Sequence, residues 1–504
     1  MLFGRKILYT DVREVTRENI ADILRSVMPE HEENARMIEF LLNYEAGNQA
    51  KIRNKTYRSD IDNWCVDNVA NEITEFKLSF NWGNPITLAM RNKNDKNNAD
   101  ISQGIFELNK FYDLQGNRSK QQELARYVEI GGVGYTFVDI NTDYVQGESP
   151  FTIDVLNPIC TFVVRSSYYL DKRVMLSGTY YCDKYGSKKF TCFTDGSRFE
   201  LNSNYEHLER SGETNPIKVN PIIEWIRSHD RMGCFERQIS EMNNLNLLIS
   251  DFTNDVEQNT QAIWHTNDIE FPKQIVKNED GTETEVQKTL KGNSVVQTYT
   301  SQDGKTPLIE TLSIDYDYDG MLQNIITRRA LILQKCNVPS RNDNSGGSTG
   351  VAMSDATGWT QAETEANRQD QIKDVCKLAE VKAVLRAIEK CNNFPLDNPI
   401  RKLQYSDVEA NIPRQKTYEL TTKVNAMCAL IGKGFSLEDT LAIAPLFEDN
   451  NQVLVRSADG VRKFQESNVF KTETTNTTEE KRPFPDYSDQ ESNSPLIGGM
   501  TTDN

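Results

Sequence analysis

The sequence predicts an α+β protein, in which helical segments flank an antiparallel β region. Three observations lead to this prediction. Apolar residues recur at helical spacing over the first part of the chain, and from Gly134 onward they alternate as they do in strands. Further along, two helical segments enclose a short β-rich stretch. A polar loop then separates the second of these helices from a longer one.

The N-terminal part is predicted to be helical. Thr16 is a candidate N-cap for the first helix, and Pro29 is expected to end it. Residues 37–42 and 61–73 carry apolar stripes for two more helices. Ser119, followed three residues later by glutamine, resembles a capping box that opens another.

The β region is predicted to be antiparallel rather than a βαβ array. Asp195-Gly196 lies between two alternating segments and is a strong hairpin signal. The predicted strands cover residues 135–140, 151–156, 161–164, 174–181, 189–193, 198–201 and 221–226.

A helix over 235–262 and another over 321–336 enclose the β-rich stretch 264–314. Within that stretch we expect a turn at 278–281 and a strand at 294–299. The first helix leads into a small β module and the second leads back from it. This order predicts a stalk of two helices with the β module as its head. Asparagines occupy the faces of the first helix beside its apolar stripe. Because asparagine is a mediocre helix former, packing against neighbours is expected to hold this helix.

Residues 337–350 contain almost nothing apolar, and a long helix is expected over 359–391. A soft polar loop between rigid helices suits contact with something that moves. A helical pair at 416–431 and 437–447 and a disordered tail from 471 complete the prediction. The long helix is expected to bury Ile372, Val375, Cys376, Ala379, Leu385 and Ile388.

Composition limits the classes of function. With 504 residues, 37% of them hydrophobic, the chain has the composition of a soluble protein with two to four structural regions. No apolar run approaches the ~18 residues of a membrane span, and no signal peptide is recognised. A net charge of −17 argues against a tight grip on duplex DNA, although weak sliding contact stays open. Nine scattered cysteines favour buried reduced thiols over a zinc site or a disulfide frame.

Several fragments imitate catalytic motifs but lack an essential part. Residues 346–350 match G-x-S-x-G, yet polar residues precede them and no histidine follows. Residues 304–306 match the end of a P-loop, but the first glycine of that motif is absent. The glycines at 131–134 lack the third glycine of a dinucleotide-binding motif, so a close turn into a strand is favoured. The aspartates at 315–319 lack the glycine and glutamate of a calcium loop and suit a helix N-terminus. We therefore expect no enzyme activity, no metal and no cofactor.

Short sequence patterns in a shared order resemble those of a known family. The chain is similar, over about residues 35–450, to the portal proteins of tailed double-stranded DNA bacteriophages, in the siphophage branch. The patterns are LNYEAG at 42–47, WGNPI at 82–86, LNP at 156–158, NPIIEW at 220–225, LISDFTNDVE at 248–257 and STGVA at 348–352.

The resemblance implies a ring-forming α+β portal-like subunit with an α/β wing, a two-helix stem, a small β-rich clip, a long tunnel helix and a helical crown. On this basis the wing covers residues 1–234, the stem helices 235–262 and 317–336, the clip 263–316, the tunnel loop 337–350, the long helix 351–392, the crown 393–470 and the tail 471–504.

The resemblance also implies a function. Subunits, usually twelve, form a ring at a capsid vertex of the virion, after assembly in the host cytoplasm. Double-stranded DNA enters and leaves through the ring. The partners are the terminase large subunit, the head-tail adaptor, and the major capsid and scaffolding proteins, with no membrane.

The implied sites are a tunnel loop facing DNA and a clip that docks partners. The loop residues are Ser340, Arg341, Asn342, Asp343, Asn344, Ser345, Gly346, Gly347 and Ser348, and the clip residues are Asn278, Glu279, Asp280, Glu283 and Glu285. Two alternatives stay open from the sequence: a DNA-processing or nucleotide-binding enzyme using residues 304–306, and a non-viral scaffold protein using the stalk.

Overall fold

The computed structural model describes residues 4–54, 60–91, 98–168, 170–260, 263–267, 273–277, 283–287, 308–312, 317–339, 358–414, 420–435 and 440. The chain divides into two units, Met1–Gln415 and Lys416–Asn504.

Within the described residues the helices are α1 (Ile20–Glu45), α2 (Val69–Trp82), α3 (Asn98–Leu114), α4 (Asn117–Gly131), α5 (Ile239–Thr260), α6 (Tyr318–Lys335), α7 (Trp359–Lys390) and α8 (Leu420–Gly432). All but α8 belong to the first unit. None of these helices is long and apolar enough to cross a membrane.

The strands of the first unit are β1 (Leu8–Thr10), β2 (Thr87–Met90), β3 (Val133–Ile140), β4 (Phe151–Leu156), β5 (Thr161–Ser166), β6 (Val174–Cys182), β7 (Lys188–Phe193), β8 (Ser197–Leu201), β9 (Glu213–Thr214), β10 (Ile222–Ile226), β11 (Ile263–Asn267), β12 (Lys273–Lys277), β13 (Glu283–Gln287), β14 (Leu308–Leu312) and β15 (Val408–Asn411).

The first helix is longer than the sequence predicts. α1 continues through Pro29, so the prediction that this proline ends the helix is wrong. A proline inside a helix loses one backbone hydrogen bond. The buried stripe that begins at Ile20 nevertheless continues to Leu41, and this packing outweighs the local cost. The N-cap is Asn19 rather than Thr16, and it makes no side-chain cap bond.

The predicted helical stripe at 61–73 is helical only from Val69. The preceding segment runs along α5, and its backbone amides donate to α5 side chains. Asn63, Cys65 and Asp67 donate through their N–H groups to Asn254 Oδ1, Ser250 Oγ and Asn246 Oδ1 at 2.8, 2.9 and 2.9 Å. Every second amide of the segment thus meets every fourth residue of the helix. This ladder explains why polar residues are buried along α5.

The structure differs from the sequence prediction at two places around residue 116. α3 carries no sequence prediction, although Leu108 and Tyr112 lie fully within the core. α4 begins after Gly116, in the left-handed conformation, and not at the capping box predicted for Ser119. At its other end Gly132 has a φ of +77°, and the chain turns directly into β3 as expected for these glycines.

The β region is antiparallel as predicted, with one exception. A six-stranded sheet has the order β1-β5-β6-β7-β8-β9, and a three-stranded sheet the order β10-β3-β4. β7 and β8 pair in antiparallel fashion on either side of Asp195-Gly196, which confirms the hairpin. The exception is β1, which pairs with β5 in parallel. β2 and β15 form a separate pair.

The three-stranded sheet lies between two layers of core. Alternate residues of β3 point to opposite faces. Tyr135 packs in a cluster with Ile38 of α1 and Phe193 of the larger sheet. Val138, on the other face, joins the cluster of α3, α4 and α7 residues that includes Val384. α1 and α7 therefore lie on opposite sides of this sheet.

The predicted order of a helix, a β-rich stretch and a second helix is observed. α5 and α6 run antiparallel, because Phe252 meets Tyr318 at 5.9 Å between ring centroids, while Glu241 and Lys335 lie 4.0 Å apart at the other end. β11 follows α5 and pairs with β14, which precedes α6, and β12 pairs with β13. Asp317 caps α6 by accepting a hydrogen bond from the Gly320 N–H at 2.9 Å. The predicted strand at 294–299 lies outside the described residues.

The long helix is confirmed over Trp359–Lys390, but its predicted core is partly wrong. Cys376 and Ile388 are buried, and Ile372 and Leu385 are half-buried. Val375 is 67% exposed, and Ala379 is exposed as well. Other residues of α7 complete its contact with the sheet, and Val375 and Ala379 face away from the core.

All nine cysteines are free thiols. Four are buried, as expected, but Cys182 and Cys428 are exposed. Burial raises the pKa of the Cys192 thiol to about 12 and that of Cys336 to about 11, so neither forms a thiolate near neutral pH.

The second unit is described only in part. α8 matches the predicted helix at 416–431, with its start at Leu420. The predicted helix at 437–447, apart from Thr440, and the tail from 471 lie outside the described residues.

Candidate functional site

The segment that contains the polar loop begins and ends at one place in the structure. The chain leaves the described part at Pro339 and returns at Gly358. A Cβ placed on Gly358 would lie 3.8 Å from the Pro339 Cα, so the two ends adjoin. All nine predicted DNA-facing residues, Ser340 to Ser348, lie between them and outside the described residues. The described part of this site is the loop base.

The chain enters this base through a Schellman motif at the end of α6. Asn337 adopts the left-handed conformation with a φ of +53°. Its N–H donates to the Gln334 carbonyl at 2.9 Å, and the Val338 N–H donates to the Leu333 carbonyl at 3.0 Å. The motif satisfies the last carbonyls of the helix and fixes the direction in which the chain departs.

A buried ionic cluster anchors this turn to α7. Glu365 accepts from the Asn337 Nδ2 at 3.0 Å and from the Lys77 Nζ at 2.6 Å. Its other oxygen pairs with Arg227, which also bonds Glu129 at 2.9 Å. We call these five residues the loop-base cluster. They come from α2, α4, α7, the segment after β10 and the end of α6, so one carboxylate ties several elements to the loop.

The charges of this cluster are mutually stabilised. Burial raises the pKa of Glu365, but the Lys77 ammonium and the Arg227 guanidinium lower it more, and the net pKa is below the ordinary value. Burial lowers the pKa of Arg227, and Glu129 with Glu365 raises it more, so this guanidinium stays charged. Glu365 is therefore an anion and Arg227 a cation at neutral pH. Removing one member would leave an opposite charge buried without its partner.

An aromatic group holds the returning end. The ring of Trp359, the first residue of α7, lies 5.9 Å from that of Phe76 and 5.7 Å from that of Phe80. Phe76 and Phe80 are stacked at 5.6 Å. Contacts of this geometry add to the area that the rings bury. Both ends of the loop are thus fixed to α2, one by ion pairs and one by rings.

The buried polar row continues along α7 at intervals of four residues. Lys373 donates to the Asn81 carbonyl at 2.8 Å and lies 4.2 Å from the centroid of the Trp82 ring. Burial lowers its pKa to about 8. Lys377 lies 3.8 Å from the Tyr112 ring and pairs with Glu380 at 2.6 Å. α7 is therefore held by directional bonds, and it provides a rigid mount for the loop.

The sequence prediction missed the loop-base cluster. One signal was available in the sequence. Lys77 follows Val69 and Ile73 at a spacing of four residues, so it lies on the same buried face of α2. A charged residue at such a position requires a partner. The identity of that partner was not readable, since Glu365 lies 288 residues away along the chain.

The predicted clip residues are only partly described. Asn278, Glu279 and Asp280 lie outside the described residues. Glu283 and Glu285 lie in β13, opposite Lys277 and Ile275 of β12. The antiparallel pairing of these strands agrees with the turn expected between them.

Comparison with known families agrees with this architecture. A family model described as phage portal protein, SPP1 Gp6-like, matches residues 25–468. The chain belongs to this family of phage portal proteins. The match includes the stalk, the loop base and the long helix. None of the curated proteins compared with the chain matches it.

Membership in the portal family establishes a phage portal role of the siphophage type. The family is structural rather than enzymatic, and it implies an oligomeric ring at a capsid vertex of the virion. Within the described residues there is no group of three or more side chains that could hold a metal ion.

Proposed function

We propose that this portal protein forms a ring, of about twelve copies, through which double-stranded DNA is packaged into the capsid and later ejected. The observation that carries the proposal is the loop base. The segment that contains the polar loop leaves the rigid helices at Pro339 and rejoins them at the adjoining Gly358. The composition of the loop suits weak contacts. In this function the loop base holds the two ends of the segment in place while residues 340–348 meet the DNA.

The net charge of −17 suits passage of a polyanion. Each phosphate that a protein neutralises adds to its affinity for DNA, and tight binding would stop movement. Arg341 is the only basic residue of the loop. Asparagine, serine and glycine supply weak hydrogen bonds that exchange easily as the duplex advances.

The stalk suits docking of partners. α5 leads into β11, and β14 leads into α6, so we assign this small β module as the clip. We assign to it the terminase large subunit, which supplies the energy for packaging, and afterwards the head-tail adaptor. The wing and the crown then face the major capsid and scaffolding proteins, with assembly in the host cytoplasm.

The first test is the native mass of the purified protein, together with negative-stain images. Twelve copies of 57.6 kDa give about 691 kDa. A ring near that mass with a central hole supports the proposal. A protein that stays monomeric under all assembly conditions, and that forms no ring in capsids, contradicts it.

The clip assignment has its own test. Reversing the charges of Glu279, Glu283 and Glu285 to lysine should weaken docking of terminase or adaptor, while rings persist in negative-stain images. The matched control reverses Glu389, an exposed acid of α7 outside the β module. Unchanged docking in the clip variant places the interface elsewhere.

A further inference from the structure

β10 is an edge strand with an open side. In the three-stranded sheet it pairs only with β3. The Val138 N–H donates to the Pro221 carbonyl at 3.0 Å, and the Arg227 N–H donates to the Gly132 carbonyl at 3.1 Å. By the alternation of an antiparallel ladder, Ile223 and Trp225 also face β3, and the backbone groups of Ile222, Glu224 and Ile226 point away from it.

The backbone of Glu224 is both accessible and unbonded. Its side chain is only 3% exposed, because it pairs with Arg165 and Arg231 at 2.8 and 2.7 Å. The residue as a whole is half-buried, so its accessible area lies on the backbone. Neither its N–H nor its C=O makes a hydrogen bond to any residue that the structure describes. At the start of the strand, by contrast, the Ile222 N–H donates to the Asn220 side chain at 3.2 Å.

The opposite edge of the same sheet is protected. Ile153 of β4 points its carbonyl away from β3, and the Lys120 ammonium donates to it. Lys120 also pairs with Asp154 at 3.1 Å. A lysine over a strand edge is a common way to prevent further pairing. No lysine covers β10 in the described part of the chain, although the Ile226 backbone N–H makes a hydrogen bond with the Cys376 thiol of α7 at the end of the strand.

The open edge lies along a groove of about 1040 Å³. One wall is the exposed face of α7, where Ile372, Val375 and Ala379 form an apolar stripe between Arg368 and Lys382. The sequence places all three in the core, but the structure exposes Val375 and Ala379 and leaves Ile372 half-buried. They line the groove at the spacing of one helical face.

The side chains that line the groove include more cations than carboxylates. Cationic side chains outnumber carboxylates seven to four in its lining, although the whole chain carries −17. Arg368 and Lys382 form no ion pair with any described residue, so their charges are available. An occupant that carries carboxylates is favoured over a basic one.

We propose that β10 is a docking edge, to which an extended, net-acidic segment of a different polypeptide adds as a fourth strand. Main-chain bonds to Glu224 supply affinity, the α7 stripe receives alternate apolar side chains, and Arg368 and Lys382 attract the acidic ones. The five residues of β10 span ~16 Å, enough for a short strand. The proposal does not rest on ring formation or on DNA passage.

The test uses the full-length protein and fluorescein-labelled decapeptides, with binding measured by fluorescence polarisation. The alternating valine–glutamate peptide should bind, and binding should weaken as salt is raised. The alternating valine–lysine peptide, and the glutamate peptide N-methylated at alternate amides, should each bind on the order of tenfold more weakly or not at all. Equal binding of all three peptides, or no binding of the first, overturns the proposal.

Variants locate the binding and identify the occupant. R368E and K382E should each weaken binding of the glutamate peptide by about tenfold. R118E is the matched control, because Arg118 is exposed on α4 outside the groove, and it should leave binding unchanged. Assembled rings should still bind the peptide. Rings that do not bind, although unassembled subunits do, would show that a second copy covers the edge and would overturn the assignment to a different polypeptide.

Discussion

Glu365→Gln removes the central charge of the loop-base cluster without changing its shape. The Lys77 side chain is 2% exposed and that of Glu365 is 15% exposed, so solvent screens their 2.6 Å pair only weakly. Breaking a buried pair by removing one partner costs ~3–5 kcal/mol. Here Arg227 keeps Glu129 at 2.9 Å, and the glutamine oxygen still accepts a hydrogen bond. We therefore expect the free energy of unfolding to fall by about 2 kcal/mol.

The assay is urea unfolding of the full-length protein followed by circular dichroism, with hydrogen exchange of the first turns of α7 as a local measure. The control is Glu389→Gln, which removes a half-exposed partner of Arg386 and should cost less than about 0.5 kcal/mol. Combining Lys77→Met with Glu365→Gln should destabilise less than the sum of the single changes. Equal losses for Glu365→Gln and Glu389→Gln, or strict additivity of the pair, would refute the account of the loop base.

Three further predictions follow from particular residues. Because the net pKa of Glu365 lies below its ordinary 4.5, its stabilising charge is fully present above about pH 4.5 and is lost as the pH falls through the folded-state pKa. The difference in thermal midpoint between wild type and Glu365→Gln should therefore shrink in acid; a constant difference down to pH 3 would contradict this. Gly178→Ala should cost ~1–3 kcal/mol in urea unfolding, because its Cβ would lie 2.6 Å from the Phe162 ring and 2.8 Å from the Cys192 Sγ, whereas Gly196→Ala, with open space around it, should change little. Deleting Ser340 to Ser348 should leave rings visible in negative stain but reduce the DNA retained in capsids, and capsids that fill and hold full genomes would rule out the DNA-facing role of the loop.

The helices and strands with a clear period were predictable, and so was the stalk. A regular apolar pattern reports one face of an element whatever its partner is, which is why β4 was predicted to the residue and α7 to within one. Pro29 shows where such local signals fail. Its cost is local, but the packing that outweighs it comes from β1 and the larger sheet.

The sequence by itself determined the α+β class, the two-helix stalk with its β module, the polar loop and the resemblance to portal proteins. These depend on periodicity, turn chemistry and short patterns, which are properties of neighbouring residues. Only the tertiary structure decided which charges are buried together and which apolar side chains remain exposed. Lys77 meets Glu365 across 288 positions, and Val375 faces a groove instead of the core. Both outcomes depend on how distant elements pack, and no local pattern encodes that.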